Sequence, residues 1–203
     1  MTEFISSEPT LAPEAPVKAR ELEGRRVAVI VADGFEQSEF DGPVQALRAA
    51  GARVDVVAED APHLGHIHGV KHFDPAPGTK ADRLLSDVDV ADYDALLVPG
   101  GLASPDHMRQ SEAHLKLVAA FIDADKPTAL ICHGPWLLAD SDRAKGRTVT
   151  SWPAIRRDLE RAGARWRDDE VVVDGNLVTS RKPEDVQPFS KALISLIAEL
   201  APR

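Results

Sequence analysis

The stretch "TALICHGPWLLAD", residues 128–140, decides how this chain is read. "TALI" is a short apolar run of the kind that forms a strand covered on both faces. "HGPWLLAD" reads as the opening of a helix, with Pro135 tolerated in a first turn where no backbone donor is missed. Between them stands Cys132, the single cysteine of 203 residues. A strand, a nucleophilic side chain and a helix joined by a sharp turn form a nucleophile elbow, which lifts one reactive group above a sheet. Unpaired N–H groups at a helix start favour an anion, so this placement predicts a thiol pKa below that of a free cysteine.

The same rhythm extends in both directions. "RRVAVIVADG" (25–34), "RVDVVAED" (53–60) and "YDALLVPGG" (93–101) read as further strands. "SEFDGPVQALRAAG" (38–51) places Phe40, Val44, Leu47 and Ala50 at helical spacing and stops at Gly51, with Pro43 close enough to the start to be tolerated. "SEAHLKLVAAFIDAD" (111–125), "SWPAIRRDLERAG" (151–163) and "DVQPFSKALISLIAEL" (185–200) read as helices. "EVVVDGNLVTS" (170–180) reads as a hairpin turning at Asp174-Gly175 or Gly175-Asn176. Strands alternating with helices predict an α/β protein with a mostly parallel sheet, whose ligands sit outside the carboxyl ends of the strands. Three such ends carry chemistry: "ADGFEQSEF" (32–40), "PGGLASPD" (99–106) and "CHGP" (132–135).

Composition narrows the function. The 33 acidic against 24 basic side chains give a formal net charge of −9, the wrong sign for tracking nucleic acid or anionic membranes. One cysteine makes no internal disulfide, which fits a reducing cytoplasm. No apolar run reaches the roughly 20 residues of a membrane helix, and the N-terminus lacks the basic-then-apolar pattern of a secretory signal. Residues 1–24, rich in Glu and Pro, read as a disordered extension ahead of one domain over residues 25–203.

The combination of "ALICHGP" with an upstream "DGFEQSEF", a "PGG" strand end, and downstream "TSWPAIRRDLERAGARW" and "VVVDGNLVTSRKPED" resembles the PfpI family, the intracellular-protease-like branch of the class I glutamine amidotransferase-like superfamily. That resemblance implies a flavodoxin-like three-layer sandwich, assembled as a homodimer or a larger homo-oligomer, with no cofactor and no metal. It casts Cys132 as nucleophile, His133 as its adjacent histidine and Glu39 as a protonated carboxyl bonded to the cysteine. Glu36 matches a second acid lining the pocket, and Gly101 with the His133 N–H matches the oxyanion donors; Gly100 adds a further N–H. Asp106 is the nearest match to a carboxylate supplied by a neighbouring subunit, although the "LASPDH" loop is one residue longer than the family's short form. Trp152 stands where some members carry tyrosine. A glutamate beside a thiolate at low dielectric holds its proton, so the two titrate as a pair.

Three activities stay open, the first two implied by the resemblance and the third by an acidic partner able to hydrogen-bond an oxidised sulfur. The first is a stress-protective, cysteine-dependent enzyme of glyoxalase or deglycase type acting on small reactive carbonyls. The second is a cysteine peptidase, for which His133 must reach Cys132 from the very next residue, a demanding geometry. The third is a redox-sensing role for the thiol. A glutamine amidotransferase would carry a later H-x-E where this chain reads "SRKPED" (180–185), with no histidine beyond His133. "PHLGHIHGVKH" (62–72) gathers His63, His66, His68 and His72; the glycines suggest an irregular, solvated hairpin with His66 and His68 on one face rather than a metal centre.

Overall fold

The computed structural model describes residues 21–59 and 65–200. Its centre is a seven-stranded sheet built from β1 (Arg26–Ile30), β3 (Arg53–Ala58), β6 (Arg83–Leu84), β7 (Ala95–Val98), β8 (Thr128–Ile131), β11 (Val171–Asp174) and β12 (Leu177–Ser180). The order is β11-β12-β8-β7-β1-β3-β6, parallel throughout except for the β11–β12 hairpin. That hairpin turns on Gly175-Asn176, with Asp174 paired to Leu177 and Gly175 at a positive φ, the pattern of a two-residue loop.

Strand periodicity divides the interior into two layers. Val27, Val29 and Val31 face the side covered by helices α1 (Gln37–Ala49) and α6 (Val186–Leu200), where they meet Phe40, Val44, Leu47, Phe189 and Leu193. Ala28 and Ile30 face the other side, covered by α2 (Ala103–Met108), α3 (Glu112–Asp123), α4 (Trp136–Asp140) and α5 (Arg156–Arg161), among Met108, Phe121, Leu137 and Leu159. Continuous apolar strands are thus explained by burial on both faces. The result is the expected three-layer α/β sandwich.

Two local expectations change. Leu22, inside the stretch read as an extension, is fully buried in the core and its N–H donates to Ala50 O at 2.8 Å. Residues 1–20 lie outside the described set. Pro43 sits inside α1 rather than near its start, since the helix begins at Gln37; it is buried and supplies no N–H to the Glu39 carbonyl.

The histidine-rich segment enters a hairpin whose register shifts between Ile67 and Gly69. β2 (Phe35–Glu36), β4 (His66–Lys71) and β5 (Asp74–Lys80) make a separate small sheet in which β2 runs parallel to β4 and β4 antiparallel to β5. Gly78 N–H donates to Gln37 Oε1 at 2.8 Å, so the β4–β5 hairpin is tied to the start of α1. The remaining pair, β9 (Thr148–Val149) and β10 (Arg165–Trp166), is parallel and links the chain flanking α5.

His114, in the first turn of α3, is completely buried with its Nδ1 3.5 Å from Glu59 Oε2. Burial pushes its pKa down to about 4, against the attraction of Glu59. The folded state therefore resists a proton that the unfolded chain accepts near 6.5, and stability is lost as pH falls between those values. Urea unfolding of His114→Leu should show a drop in stability from pH 7 to pH 4.5 that is smaller than that of the parent chain by about 2.5 kcal/mol. An unchanged pH dependence would remove His114 as a contributor.

Candidate active site

The three chemistry-bearing strand ends are neighbours, because β8, β7 and β1 are consecutive in the sheet. The chain leaves β1 toward β3 and returns on the opposite side at β7, so the site lies at the point where the winding reverses.

Cys132 follows β8 directly and has φ +61°, a left-handed conformation that costs a non-glycine residue about 1–3 kcal/mol. It is held on both sides by backbone bonds: its N–H donates to Ser180 O at 3.1 Å, and its carbonyl accepts from Trp152 N–H at 2.9 Å. The elbow is therefore real in geometry. The helix behind it differs from the expectation: α4 begins only at Trp136 and has five residues. A turn closed by Gly134 N–H on Ile131 O separates it from the thiol. The dipole that was to lower the thiol pKa is short and displaced.

Glu39 lies opposite, on the first turn of α1, with no exposed surface. Its Oε2 accepts Gly100 N–H at 3.0 Å, and the carboxyl also interacts with the Cys132 thiol and the Gly101 N–H; Oε1 is buried without a partner of ordinary geometry. Burial raises the Glu39 pKa to about 8, helped by the nearby Glu36 and opposed by its hydrogen bonds. At neutral pH it is a carboxylic acid. Burial also pushes the Cys132 thiol up, and an ionised Glu39 would push it further, while N–H groups of Gly101 and His133 work in the opposite direction. The sequence-based expectation of a lowered thiol pKa is thus reversed: desolvation at the foot of the pocket outweighs two N–H donors.

His133 reaches back despite its adjacency. Its Nδ1 lies 3.2 Å from Cys132 Sγ, a demanding geometry for adjacent residues. Burial lowers its pKa to about 4, so the ring is neutral near pH 7 and able to accept a proton. Two indoles flank it: Trp136 with ring centroids 5.0 Å apart, and Trp152 stacked at 6.0 Å. Trp136 is itself fixed, its Nε1–H donating to Asp158 at 2.9 Å and its face covered by Arg109.

The other expected residues divide. Gly100 and Gly101 admit no side chain: a Cβ on Gly100 would stand 2.5 Å from both the Cys132 Cβ and Glu39 Oε2, and one on Gly101, at φ +87°, would strike the Gly34 carbonyl. The Gly100 N–H is used by Glu39, which leaves Gly101 and His133 as the donors near sulfur. Glu36 is buried and lines the pocket, but its carboxylate is engaged structurally, accepting from His72 N–H at 2.8 Å and Ser38 Oγ at 3.1 Å. Asp106 is exposed on α2 and does not line the pocket of this chain. His66 and His68 do share a face, with ring centroids 5.1 Å apart and His68 beside Asp33, and His63 lies outside the described residues. Among the described residues no three His, Cys, Asp or Glu side chains converge as a metal site requires.

Cys132, His133, Glu39 and Glu36 share a cavity of about 250 Å³ whose remaining walls are His72, Phe73, Gly101, Leu102, Trp152 and Pro183. The sequence reading missed His72, Phe73, Leu102 and Pro183. A single apolar residue at a hairpin tip, as in "KHFDPAPG", was the available signal.

An α/β sandwich with a buried acid, a strained cysteine and a glycine pair at adjoining strand ends defines a class, that of flavodoxin-like proteins with a nucleophile elbow. Within it the chain belongs to the DJ-1/PfpI family, whose profile matches residues 25–196. It is 42% identical over 173 residues to the Bacillus subtilis protein named "Putative cysteine protease YraA", an alignment covering 85% of this chain and 98% of that one. Among solved structures it is similar to a two-domain protein of Anabaena variabilis containing DJ-1/ThiJ/PfpI-like and ferritin-like domains (TM-score 0.80, 32% identity, covering 88% of this chain and 50% of that one). It is also similar to Drosophila melanogaster DJ-1beta (TM-score 0.76, 29% identity, covering 86% and 91%). No helix among the described residues is long and apolar enough to cross a membrane.

The Glu39 carboxyl makes a signed expectation. Between 4.5 and about 8 the folded chain keeps a proton that the unfolded chain has released, so this group lowers stability as pH rises through that interval. Glu39→Gln keeps the shape and removes the titration. The stability gained by the variant should grow from pH 5 to pH 8 by up to about 4 kcal/mol and level off above that. A gain that is constant with pH would show that Glu39 is ionised throughout.

Proposed function

We propose that this protein is a cysteine-dependent enzyme acting on small reactive carbonyl compounds, of glyoxalase or deglycase type, with Cys132 as nucleophile. The observation that carries this reading is the juxtaposition at the foot of a small cavity: Cys132 Sγ lies 3.2 Å from a neutral His133 Nδ1, with a protonated Glu39 beside it. A space of about 250 Å³ suits a compound of a few carbon atoms better than an extended peptide.

On this reading Cys132 sulfur attacks the aldehyde carbon of a 2-oxoaldehyde as its proton passes to His133 Nδ1. The C=O electron pair moves onto oxygen, stabilised by the Gly101 and His133 N–H groups, and the imidazolium returns the proton to give a hemithioacetal. Loss of the proton on that carbon and reprotonation at the neighbouring carbon give a thioester, and water releases the 2-hydroxy acid with the free thiol. The carbon skeleton is oxidised at one centre and reduced at the next, so no external electron carrier is required. The indoles of Trp136 and Trp152 hold the imidazole where a carboxylate orients it in a classical triad.

We further propose that the sheet domain, with Leu22 as part of its core, forms the catalytic unit foreseen over residues 25–203, that it acts in the cytoplasm as a homodimer or larger assembly, and that Asp106 of one copy approaches the pocket of another. A peptidase activity is the second reading, favoured by the name of the Bacillus subtilis relative and by the contact between Cys132 and His133. The third is redox sensing at the same thiol.

Methylglyoxal consumption, followed by lactate formation, tests the first reading. Cys132→Ser should lose at least about 100-fold in kcat/KM, because an alcohol is a far weaker nucleophile near a base that is neutral rather than anionic. Unchanged turnover by the variant would end the proposal, and cleavage of peptides without oxoaldehyde turnover would favour the second reading.

A further inference from the structure

Five large apolar side chains are exposed among the described residues: Phe73, Leu84, Leu102, Trp152 and Val173. Three of them, Phe73, Leu102 and Trp152, line the Cys132 cavity. Phe73 is the extreme case at 88% exposure, a costly place for an aromatic ring unless something covers it.

Its position is fixed rather than incidental. Phe73 sits at the tip of the β4–β5 hairpin beside His72, whose φ of +59° makes the tight turn. Glu36 holds that tip by accepting the His72 N–H, and Gln37 holds the hairpin further along by accepting the Gly78 N–H. Two consecutive residues at the start of α1 thus strap the hairpin beside the cavity that Glu36 itself lines. Charge adds the complementary half. Among the described residues the acids on the walls are Glu36 and Glu39, the bases are the imidazoles of His72 and His133, and no lysine or arginine lines the cavity to pair with a carboxylate. A ligand that covers these rings without placing a negative charge beside Glu36 is an uncharged apolar one.

We infer that the Cys132 cavity selects electrophiles carrying an uncharged apolar, preferably aromatic, substituent, which Phe73 grips against Leu102 and Trp152, and that it discriminates against those carrying a carboxylate. The carbonyl version of this inference, phenylglyoxal favoured over glyoxylate, rests on the function proposed above. The preference itself is a property of the walls and is measurable without turnover.

The experiment compares alkylation of Cys132 in the full native chain by N-benzyl iodoacetamide, iodoacetamide and iodoacetate, each rate divided by that for glutathione. With one cysteine, intact mass reports a single site. The expected result is an aromatic reagent favoured over iodoacetamide by about 10-fold and iodoacetate disfavoured by a similar factor. Phe73→Ala should cut the aromatic preference by about 3- to 10-fold, the worth of one aromatic contact. Val173→Ala, an exposed apolar residue that is not on these walls, should leave it unchanged.

Ratios equal to those of glutathione, a preference untouched by Phe73→Ala, or no alkylation before unfolding would each overturn the inference. So would a change in molecular mass by light scattering in Phe73→Ala with the ratios unaltered, which would assign Phe73 to a contact between copies. Phenylglyoxal, methylglyoxal and glyoxylate are assayed in parallel. Reagent selectivity without turnover of any of them would sustain the inference while ending the carbonyl reading.

Discussion

Everything distinctive about this site depends on Cys132 being held at a positive φ where β8 ends. A cysteine adopts that conformation only under restraint, and the restraint comes from the backbone on either side: Ser180 at the end of β12 and Trp152 on the approach to α5. Because β12 and β8 are adjacent parallel strands, the parallel pairing that stabilises the sheet also fixes the turn. The side chain is thereby aimed into a gap beside Gly100, where a Cβ would stand 2.5 Å from the Cys132 Cβ, while Gly101 lets the chain pass close to the Gly34 carbonyl. Sheet order, glycine pair and elbow form one device.

The second consequence is a shared proton inventory. Burying a thiol, a carboxyl and an imidazole within one small cavity makes every charged form expensive. The result at neutral pH is a carboxylic acid at Glu39 and a neutral ring at His133. Such a cavity does not rest as an ion pair waiting for substrate. Its charge separation develops during the reaction, where the Gly101 and His133 N–H groups meet the oxygen that gains charge. Holding an acid unionised in this way lowers stability at working pH, the kind of local cost that functional sites carry.

Much of this was legible in the chain. Continuous apolar strands revealed a sheet covered on both faces, and the spacing of Phe40, Val44 and Leu47 identified the helix that carries Glu39. The elbow was visible because a strand, a cysteine and a Gly-Pro helix start stood in immediate succession. The direction of the thiol pKa was not, because it depends on desolvation and on how far α4 begins beyond the turn, neither of which a local pattern encodes. The reach of His133 to its neighbour was likewise a matter of backbone direction: a positive φ at Cys132 brings the two side chains together. The hairpin over the pocket was hidden for a different reason. β5 reads "DPAPGTK", with two prolines and a glycine, and its pairing with β4 is set by tertiary contacts to Gln37 and Glu36 rather than by strand propensity.

Glu39 keeps its proton beside Cys132 at neutral pH. Infrared difference spectroscopy between the parent chain and Glu39→Gln tests it directly, since only the parent contributes the carboxyl at this position. A protonated-acid carbonyl band at pH 6 should give way to a carboxylate band as pH rises through about 8. A carboxylate band already complete at pH 6 would contradict it, and with it the description of the cavity as a site whose charges form only during reaction.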